Sequence, residues 1–413
     1  MHKYSREWCV LEDEADSLAG HQALFDIPDN IIYMDGNSLG PLTYKTRAHI
    51  TDVVTKEWGQ GLIKSWNEAG WIALASRVGA KIAPLIGADP HEVVLADSTS
   101  VNLFKTVAAA VALNKGRKKI ITENGNFPTD VYMMEGLTAF MKGDLELQAL
   151  ERTEIESALD EDVAVLLLTH VHYVTGDMFD MQKITKLAHD KGVLVVWDLS
   201  HSTGAVALDL RAADADFAVG CGYKYLNGGP GAPAFIYAAE RHHGAMQQPL
   251  SGWFGHKNMF AFTNNFMPTD GIGRMTTGTT PVIAASALEC ALDVFDGVDV
   301  TAIRAKSVAL SDMFIALVET RLKGHGFSIA SNKNSAARGS HVSLSHQNGY
   351  AIMSALIDHG VIGDFRAPNH LRFGFTPLYM RYVDVWDAVE TLHRIMKDKL
   401  WDQEKYKKQN AVT

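Results

Sequence analysis

Cysteine is nearly absent: Cys9, Cys221 and Cys290 are the only three in 413 residues. Thiols this few and this scattered make neither a disulfide framework nor the paired spacing of a zinc site, and they are expected to stay free in a reducing compartment. Long hydrophobic runs are also missing. The most apolar stretches, 163–168 and 193–197, are strand-length and far short of the ~20 residues a spanning helix needs. The first twenty residues carry acids where a signal peptide needs an apolar segment, so the expected location is cytoplasmic, with no membrane partner. Positive charge is in deficit, 38 Lys+Arg against 48 Asp+Glu, a formal charge of −10. The densest basic runs, 115–119 and 405–408, are short and read as solvated surface, so no stripe marks a nucleic-acid partner. Internal repeats and low-complexity linkers are not found.

The composition that remains is that of a folded globular chain, 47% hydrophobic and 21% charged, well clear of the disordered class. At ~100–200 residues per domain, the length suggests two or three domains, or one large domain with a satellite. From about residue 80 to 290, short apolar runs alternate with helical patterns, the signature of βαβ units on a mostly parallel sheet. Strands are predicted at 92–95, 118–122, 162–169, 193–198, 216–220 and 232–237, with one helix opening near Val101 and another over 180–191. The 162–169 run has almost no polar face, as a strand covered on both sides requires. Beyond Ala284 the pattern becomes one long helix through Leu317, then strand 341–345, helix 349–359, strand 371–375 and helix 383–399. The expected architecture is α/β, with a large domain over 45–290 and a small α+β domain made of 1–44 and 291–413. Trp8, Trp58, Trp71, Trp197, Trp386 and Trp401 are read as packing.

In an open α/β sheet, ligands sit outside the carboxyl ends of the strands, and the conspicuous polar residues lie there. The run 193–197 ends on Asp198 and continues Leu199-Ser200-His201; the next strand leads into Gly222-Tyr223-Lys224 within a glycine-rich loop. Asp and Lys at successive strand ends supply an anion for a pyridinium nitrogen and an amine for a Schiff base, the two groups pyridoxal 5′-phosphate needs from its protein. Each also has an ordinary explanation, since Asp caps helices and a loop Lys is usually solvated. Asp97-Ser98-Thr99-Ser100 adds a helix start where hydroxyls and free N–H groups converge on an anion, although N-capping is served equally well. No GxxxxGK[ST] or GxGxxG stands there, which disfavours a nucleoside phosphate. A competing reading takes His170 and His172, an HxH after a strand, with His201, Asp198 and a carbamylated Lys224 as a metal-dependent amidohydrolase centre. That centre needs further ligands at other strand ends, and none is found.

Taken together, these residues resemble a fold-type I pyridoxal-phosphate enzyme, and the finer motifs resemble the kynureninase family. The motifs are Met34-Asp-Gly-Asn-Ser-Leu-Gly40, Asn126-Phe-Pro-Thr-Asp130, Asp198-Leu-Ser-His201, Tyr223-Lys-Tyr-Leu-Asn227, Gly252-Trp-Phe-Gly-His256, Thr279-Thr-Pro-Val282, Arg366-Ala-Pro-Asn-His-Leu-Arg372 and Pro377-Leu-Tyr379. They run in family order over nearly the whole chain. The resemblance implies a fold-type I transferase-like fold with a mostly parallel seven-stranded sheet, bound pyridoxal 5′-phosphate, and a homodimer whose active site is completed by the partner subunit. It implies that Lys224 attaches the cofactor, Asp198 pairs with the pyridine nitrogen, and Phe127 stacks on the ring beside Pro128 and Thr129. Asp130 would lie near the ring's phenolic side, and Thr169 and His201 would line the cofactor. Thr99 and Ser100 would meet the phosphate, with Ser98 a neighbour, as would Tyr223, Trp253 and, from the partner, Thr279. Arg372 would hold the substrate α-carboxylate as a bidentate fork, with Asn37 and Ser38 in the same region.

The implied reaction is hydrolysis of L-kynurenine to anthranilate and L-alanine in tryptophan catabolism, with Tyr223 as proton donor. Family members that prefer the 3-hydroxylated substrate carry a His in the early aromatic-binding segment. Here that segment reads Ser65-Trp66-Asn67, so the unhydroxylated substrate is expected. Cysteine desulfurases and selenocysteine lyases are the nearest rival, but they need a cysteine on a mobile loop of the small domain, and none of the three cysteines is placed there. Aminotransferases share the Lys, Asp and Arg; the Gly-Trp-Phe-Gly-His segment and the Tyr before the Lys favour kynureninase.

Overall fold

A strand with no polar face must be covered on both sides, and the apolar runs accordingly form the middle of the molecule. The structure is a computed structural model that describes residues 3–409. Helix Arg6–Ala15 leads to a short strand, β1 (Ile32–Tyr33). The central strands follow: β2 (Val93–Ala96), β3 (Lys119–Glu123), β4 (Glu146–Leu150), β5 (Val163–Thr169), β6 (Leu194–Asp198), β7 (Phe217–Gly220) and β8 (Ala234–Ala238). They make one seven-stranded sheet in the order β2-β8-β7-β6-β5-β3-β4. Only β8 is antiparallel to its neighbours, β2 and β7; the other adjacent pairs are parallel. Two antiparallel steps restore direction, so β2 runs the same way as β5, β6 and β7, and all four deliver their carboxyl ends to one edge.

Helix Thr99–Leu113, opened by Ser98 accepting from Val101 N, lies across β5 to β8. Its N-terminus therefore sits at that same edge. Helices Pro128–Phe140 and Met181–His189 are the crossovers from β3 to β4 and from β5 to β6.

The C-terminal part adds β9 (Ser328–Ile329), β10 (His341–Ser345), β11 (Val361–Ile362), β12 (Asp364–Arg366) and β13 (His370–Gly374). An antiparallel sheet runs β12-β13-β10-β9. Helices Val300–Arg321, Gly349–Asp358 and Tyr382–Lys397 pack against one another or against this sheet. β1 pairs in parallel with β11, Ile32 opposite Val361 and Tyr33 opposite Ile362, which brings the segment after Tyr33 up to β12 and β13.

Three differences from the sequence reading have local causes. β4 was not predicted because it is a sheet edge whose residues are all at least partly exposed, without the apolar run of its neighbours. The expected continuous helix through Leu317 is broken. Helix Val282–Ala291 ends in a 3-10 turn, Gly297 takes φ +72°, and Asp299 caps Val300–Arg321 by accepting from Thr301 N at 2.8 Å. Trp58, read as packing, is 56% exposed. Among the described residues no single helix is long and apolar enough to cross a membrane.

Candidate active site

The turn after β7 carries Lys224, and the N-terminal motif closes on it. Gly40 N–H donates to Tyr223 O at 2.8 Å, and a Cβ on Gly40 would collide with Lys224 O, so only glycine permits that approach. Lys224 Nζ lies 2.9 Å from His201 Nε2. The His201 ring is buried, and its Nδ1 has no hydrogen-bond partner among the described residues. Burial, and after it the Lys224 charge, pushes His201 well below the usual imidazole range, so the ring is neutral at neutral pH.

β6 ends on Asp198, whose Oδ1 accepts from Ser200 N at 2.7 Å. Asp130, from the first turn of Pro128–Phe140, is buried against it. Thr169 Oγ1 at the end of β5 is 3.0 Å from Asp130 Oδ2, and Asn126 Nδ2 donates to the same oxygen at 3.3 Å. Burial raises both carboxyls above their usual range. Two buried carboxyls in contact do not both ionise without a cation between them. Asp130 thus stands against Asp198, and His201 beside Lys224, because the end of β5 and the Asn126–Asp130 turn adjoin the end of β6.

At the start of helix Thr99–Leu113, Ser98 is the cap while Thr99 and Ser100 form the first turn. Ser100 Oγ is 2.9 Å from Thr129 Oγ1, which ties this turn to the Phe127 segment. Phe127 is 42% exposed and meets Tyr173 edge-on at 5.2 Å. A cavity of about 200 Å³ is lined by Thr99, Ser100, Phe127, Thr129, Thr169, Asp198, His201, Tyr223 and Lys224 together with Asp97, Ser98, Tyr173 and Ser200. Nine predicted cofactor residues thus converge on one cavity, with Asp130 fully buried behind them and Pro128 opening the adjoining helix.

Other predicted residues stand elsewhere. Arg372 is buried, but its fork is taken: Nε donates to Asp364 Oδ1 at 2.7 Å, Nη2 to Asp364 Oδ2 and to Ser38 Oγ, and Nη1 to Tyr173 O. Ser38 Oγ also donates to Asp364 Oδ2 at 2.6 Å, and Arg366 Nη2 reaches that oxygen at 2.8 Å. Asn37 is fully buried, with neither side-chain polar atom partnered among the described residues. Trp253 is 40% exposed against Phe254 and Phe260. Trp66 packs on Trp71 and Phe254. Thr279 lines a neighbouring cavity whose wall it shares with Asp97 and Ser98.

Sequence reasoning missed Asp364, Tyr173 and His341. Neither Asp364 nor Tyr173 carries a motif; Asp364 joins the site through Arg372, and Tyr173 through Arg372, Phe127 and the cavity wall. His341, at the start of β10, is fully buried with neither ring nitrogen partnered among the described residues, 5.4 Å from the His201 ring. The HxH pair of the amidohydrolase reading is engaged otherwise: His170 Nδ1 lies 2.9 Å from Ser202 Oγ, and His172 Nε2 lies 2.9 Å from Gly125 O.

The residues present suit pyridoxal phosphate. An amine stands at the cavity beside a neutral imidazole, the helix start offers hydroxyls and N–H groups for a phosphate, and the carboxyl pair keeps Asp130 Oδ1 unpartnered, an arrangement that a protonated ring nitrogen relieves. Similar solved structures include the cysteine desulfurase CsdA from Escherichia coli, with TM-score 0.77 and 18% identity over 92% of this chain and 98% of that one. A C-DES variant with glycine covalently linked to its PLP cofactor has TM-score 0.76 and 15% identity over 88% of this chain and 97% of that one. The chain has the fold-type I architecture of these enzymes.

Sequence comparison narrows the class. Residues 67–219 match the DegT/DnrJ/EryC1/StrS aminotransferase family, and residues 303–392 match the kynureninase C-terminal domain. Kynureninase of Pseudomonas fluorescens is 47% identical over 414 residues, covering 99% of this chain and 100% of that protein. Kynureninase of Burkholderia mallei (strain SAVP1) is 48% identical with the same coverage. The chain belongs to the kynureninase family.

Proposed function

We infer that this chain hydrolyses the Cβ–Cγ bond of L-kynurenine to give anthranilate and L-alanine. The observation that carries this is the full-length identity to kynureninases, 47–48%. The cavity around Lys224 supports it. Bound there, pyridoxal 5′-phosphate supplies an electron sink for charge released at the substrate's carbons.

Lys224 would hold the cofactor until the substrate amine displaces it, then move the α-proton. His201 presents a neutral ring nitrogen to the Lys224 amine and so orients it. Asp198, with Asp130 beside it, would hold a proton on the ring nitrogen; on this reading His201, not Asp130, flanks the phenolic side. Thr99 and Ser100 would bind the phosphate, with Thr169 at the ring and Phe127 over its face. Burial raises the Tyr223 hydroxyl above its usual range, so it keeps its proton and would deliver one to the carbon that becomes the alanine methyl. Water adds at the γ-carbonyl as the second reactant. Arg372 would hold the substrate α-carboxylate, which must compete with Asp364 for the fork; Arg366 and Ser38 remain to hold Asp364 when it does.

We also propose a cytoplasmic homodimer whose partner completes each site. In support, Trp253 and Thr279 line no part of their own protomer's cofactor cavity. Large apolar groups stand exposed nearby, among them Trp58 at 56%, Ile63 at 77% and Phe262 at 79%, more than an isolated surface usually shows. The aromatic run Trp66, Phe254, Trp253 and Phe260 would then face the partner's substrate. A division into 45–290 and 1–44 with 291–413 is supported by the β1–β11 pairing.

The test is a spectrum of the purified protein and anthranilate fluorescence after adding L-kynurenine. Absorbance above about 400 nm, the property of bound cofactor, with anthranilate formed, is expected, and Lys224→Ala should lose both. A protein that binds cofactor but leaves kynurenine intact would discard the substrate. For the dimer, mixing inactive Lys224→Ala with an inactive Thr279 variant should restore activity through hybrid dimers; no recovery would reject the shared site. The desulfurase reading is not favoured, since Cys9, Cys221 and Cys290 are all buried.

A further inference from the structure

Lys105 lies in the helix whose first turn faces the phosphate, and its side chain is fully buried. Its ammonium donates to Asp97 Oδ2 at 2.6 Å and to Met275 O at 2.6 Å. A buried ammonium is costly unless paired and hydrogen-bonded, and burial lowers its affinity for the proton while Asp97 opposes that loss. Asp97 is as unusual as its partner. It holds φ +40°, a conformation L side chains rarely adopt, and its carbonyl is pinned by Ala234 N at 2.9 Å. With Ser98 it walls both the cofactor cavity and the adjoining cavity that contains Thr279.

A carboxylate in that wall is the wrong sign for a phosphate dianion, and the interior screens charge poorly. Lys105 supplies the missing positive charge from behind. It also fixes the backbone at Met275, immediately before segment 276–281. None of the sequence motifs includes Lys105, and nothing in the reaction uses it directly.

We propose that Lys105 is a positioning residue for the cofactor's phosphate, neutralising Asp97 and clamping the Asp97–Ser100 turn to the segment that carries Thr279. This rests on the reading of the cavity as a pyridoxal-phosphate site. The turn keeps its left-handed residue because the carboxylate is tethered, and Thr99 and Ser100 keep their approach to the phosphate because the turn does not open.

The test titrates apo-protein with pyridoxal phosphate and, separately, with pyridoxal, which attaches to Lys224 in the same way but has no phosphate; binding is read by absorbance and tryptophan fluorescence. Lys105→Met should weaken pyridoxal phosphate at least tenfold and pyridoxal less than twofold. Adding Asp97→Asn to Lys105→Met should recover most of that loss. Asp97→Asn alone, which keeps the size and the acceptor, should bind pyridoxal phosphate within threefold of wild type and serves if Lys105→Met does not fold. Equal losses for the two ligands, a double variant no better than the single, or a tenfold loss in Asp97→Asn alone would overturn the assignment. If the wild-type chain binds no pyridoxal phosphate, the cofactor reading fails and this assignment with it.

Discussion

Lys224 Nζ and His201 Nε2 are 2.9 Å apart, one at the turn after β7 and the other just past β6. Because burial keeps His201 neutral, the amine that must be free to react faces a ring nitrogen rather than another cation. His201→Ala is expected to lower kcat by about a hundredfold, the range for misplacing a reacting group, and to shift the absorbance maximum of the bound cofactor. His201→Gln, which still hydrogen-bonds, should recover part of both. Steady-state kinetics with spectra on the same samples check this.

Arg372 meets Asp364 through two parallel contacts and would meet a substrate carboxylate the same way. Lysine offers one point charge and cannot form that fork. Arg372→Lys is expected to raise KM for L-kynurenine by about ten- to a hundredfold, near 1.4 kcal/mol for each factor of ten. Affinity for pyridoxal phosphate should hardly change. An unchanged KM would remove Arg372 from substrate binding.

His341 is pushed down to about 3, by burial first and the Arg372 charge next. In the unfolded chain it titrates near pH 6.5. Between those values the unfolded state binds a proton the folded state refuses, so this residue destabilises the fold as pH falls. Carboxyls raised in the fold, such as Asp35, slope the other way, so the difference between proteins is the readout. From pH 6 to 5 the stability of His341→Gln, from denaturant unfolding, should fall less than that of wild type by about 1.2 kcal/mol.

Asp216 is buried at the opposite end of the sheet and accepts from Arg241 Nη2 at 2.7 Å and from Val195 N at 2.8 Å. His189 Nε2 and His242 Nε2 each lie 2.8 Å from it. These partners hold its carboxyl below the usual range against the cost of burial. Asp216→Ala removes the acceptor that Val195 N and His242 share, while Arg241 and His189 keep Asp214, and should cost about 1–3 kcal/mol. Activity at a temperature where the variant stays folded should be near wild type, because the cofactor cavity lies at the other strand ends.

How much was legible follows from where each signal resides. β5 and β6 show in the sequence as unbroken apolar runs, and Asp198 and Lys224 stand out as polar residues just beyond strands. β4 has no such run, since an edge strand need not be apolar on both faces. The helix break at Gly297 was hidden because apolar spacing continues on both sides of it. Lys105 resembles any helical lysine until its neighbours are known, and Asp364 any acid in a short strand.

The sequence by itself determined the βαβ order, the family motifs and most of the residues that line the cavity at Lys224, because periodicity and strand-end punctuation are local properties of the chain. Only the tertiary structure decided that Asp130 stands with Asp198, that Asp364 occupies the Arg372 fork, and that Lys105 pairs with Asp97. Each depends on which strand ends and segments become neighbours in space. The strand order β2-β8-β7-β6-β5-β3-β4 and the β1–β11 pairing join residues tens to hundreds of positions apart, and the burial that sets their charge exists only once they have met.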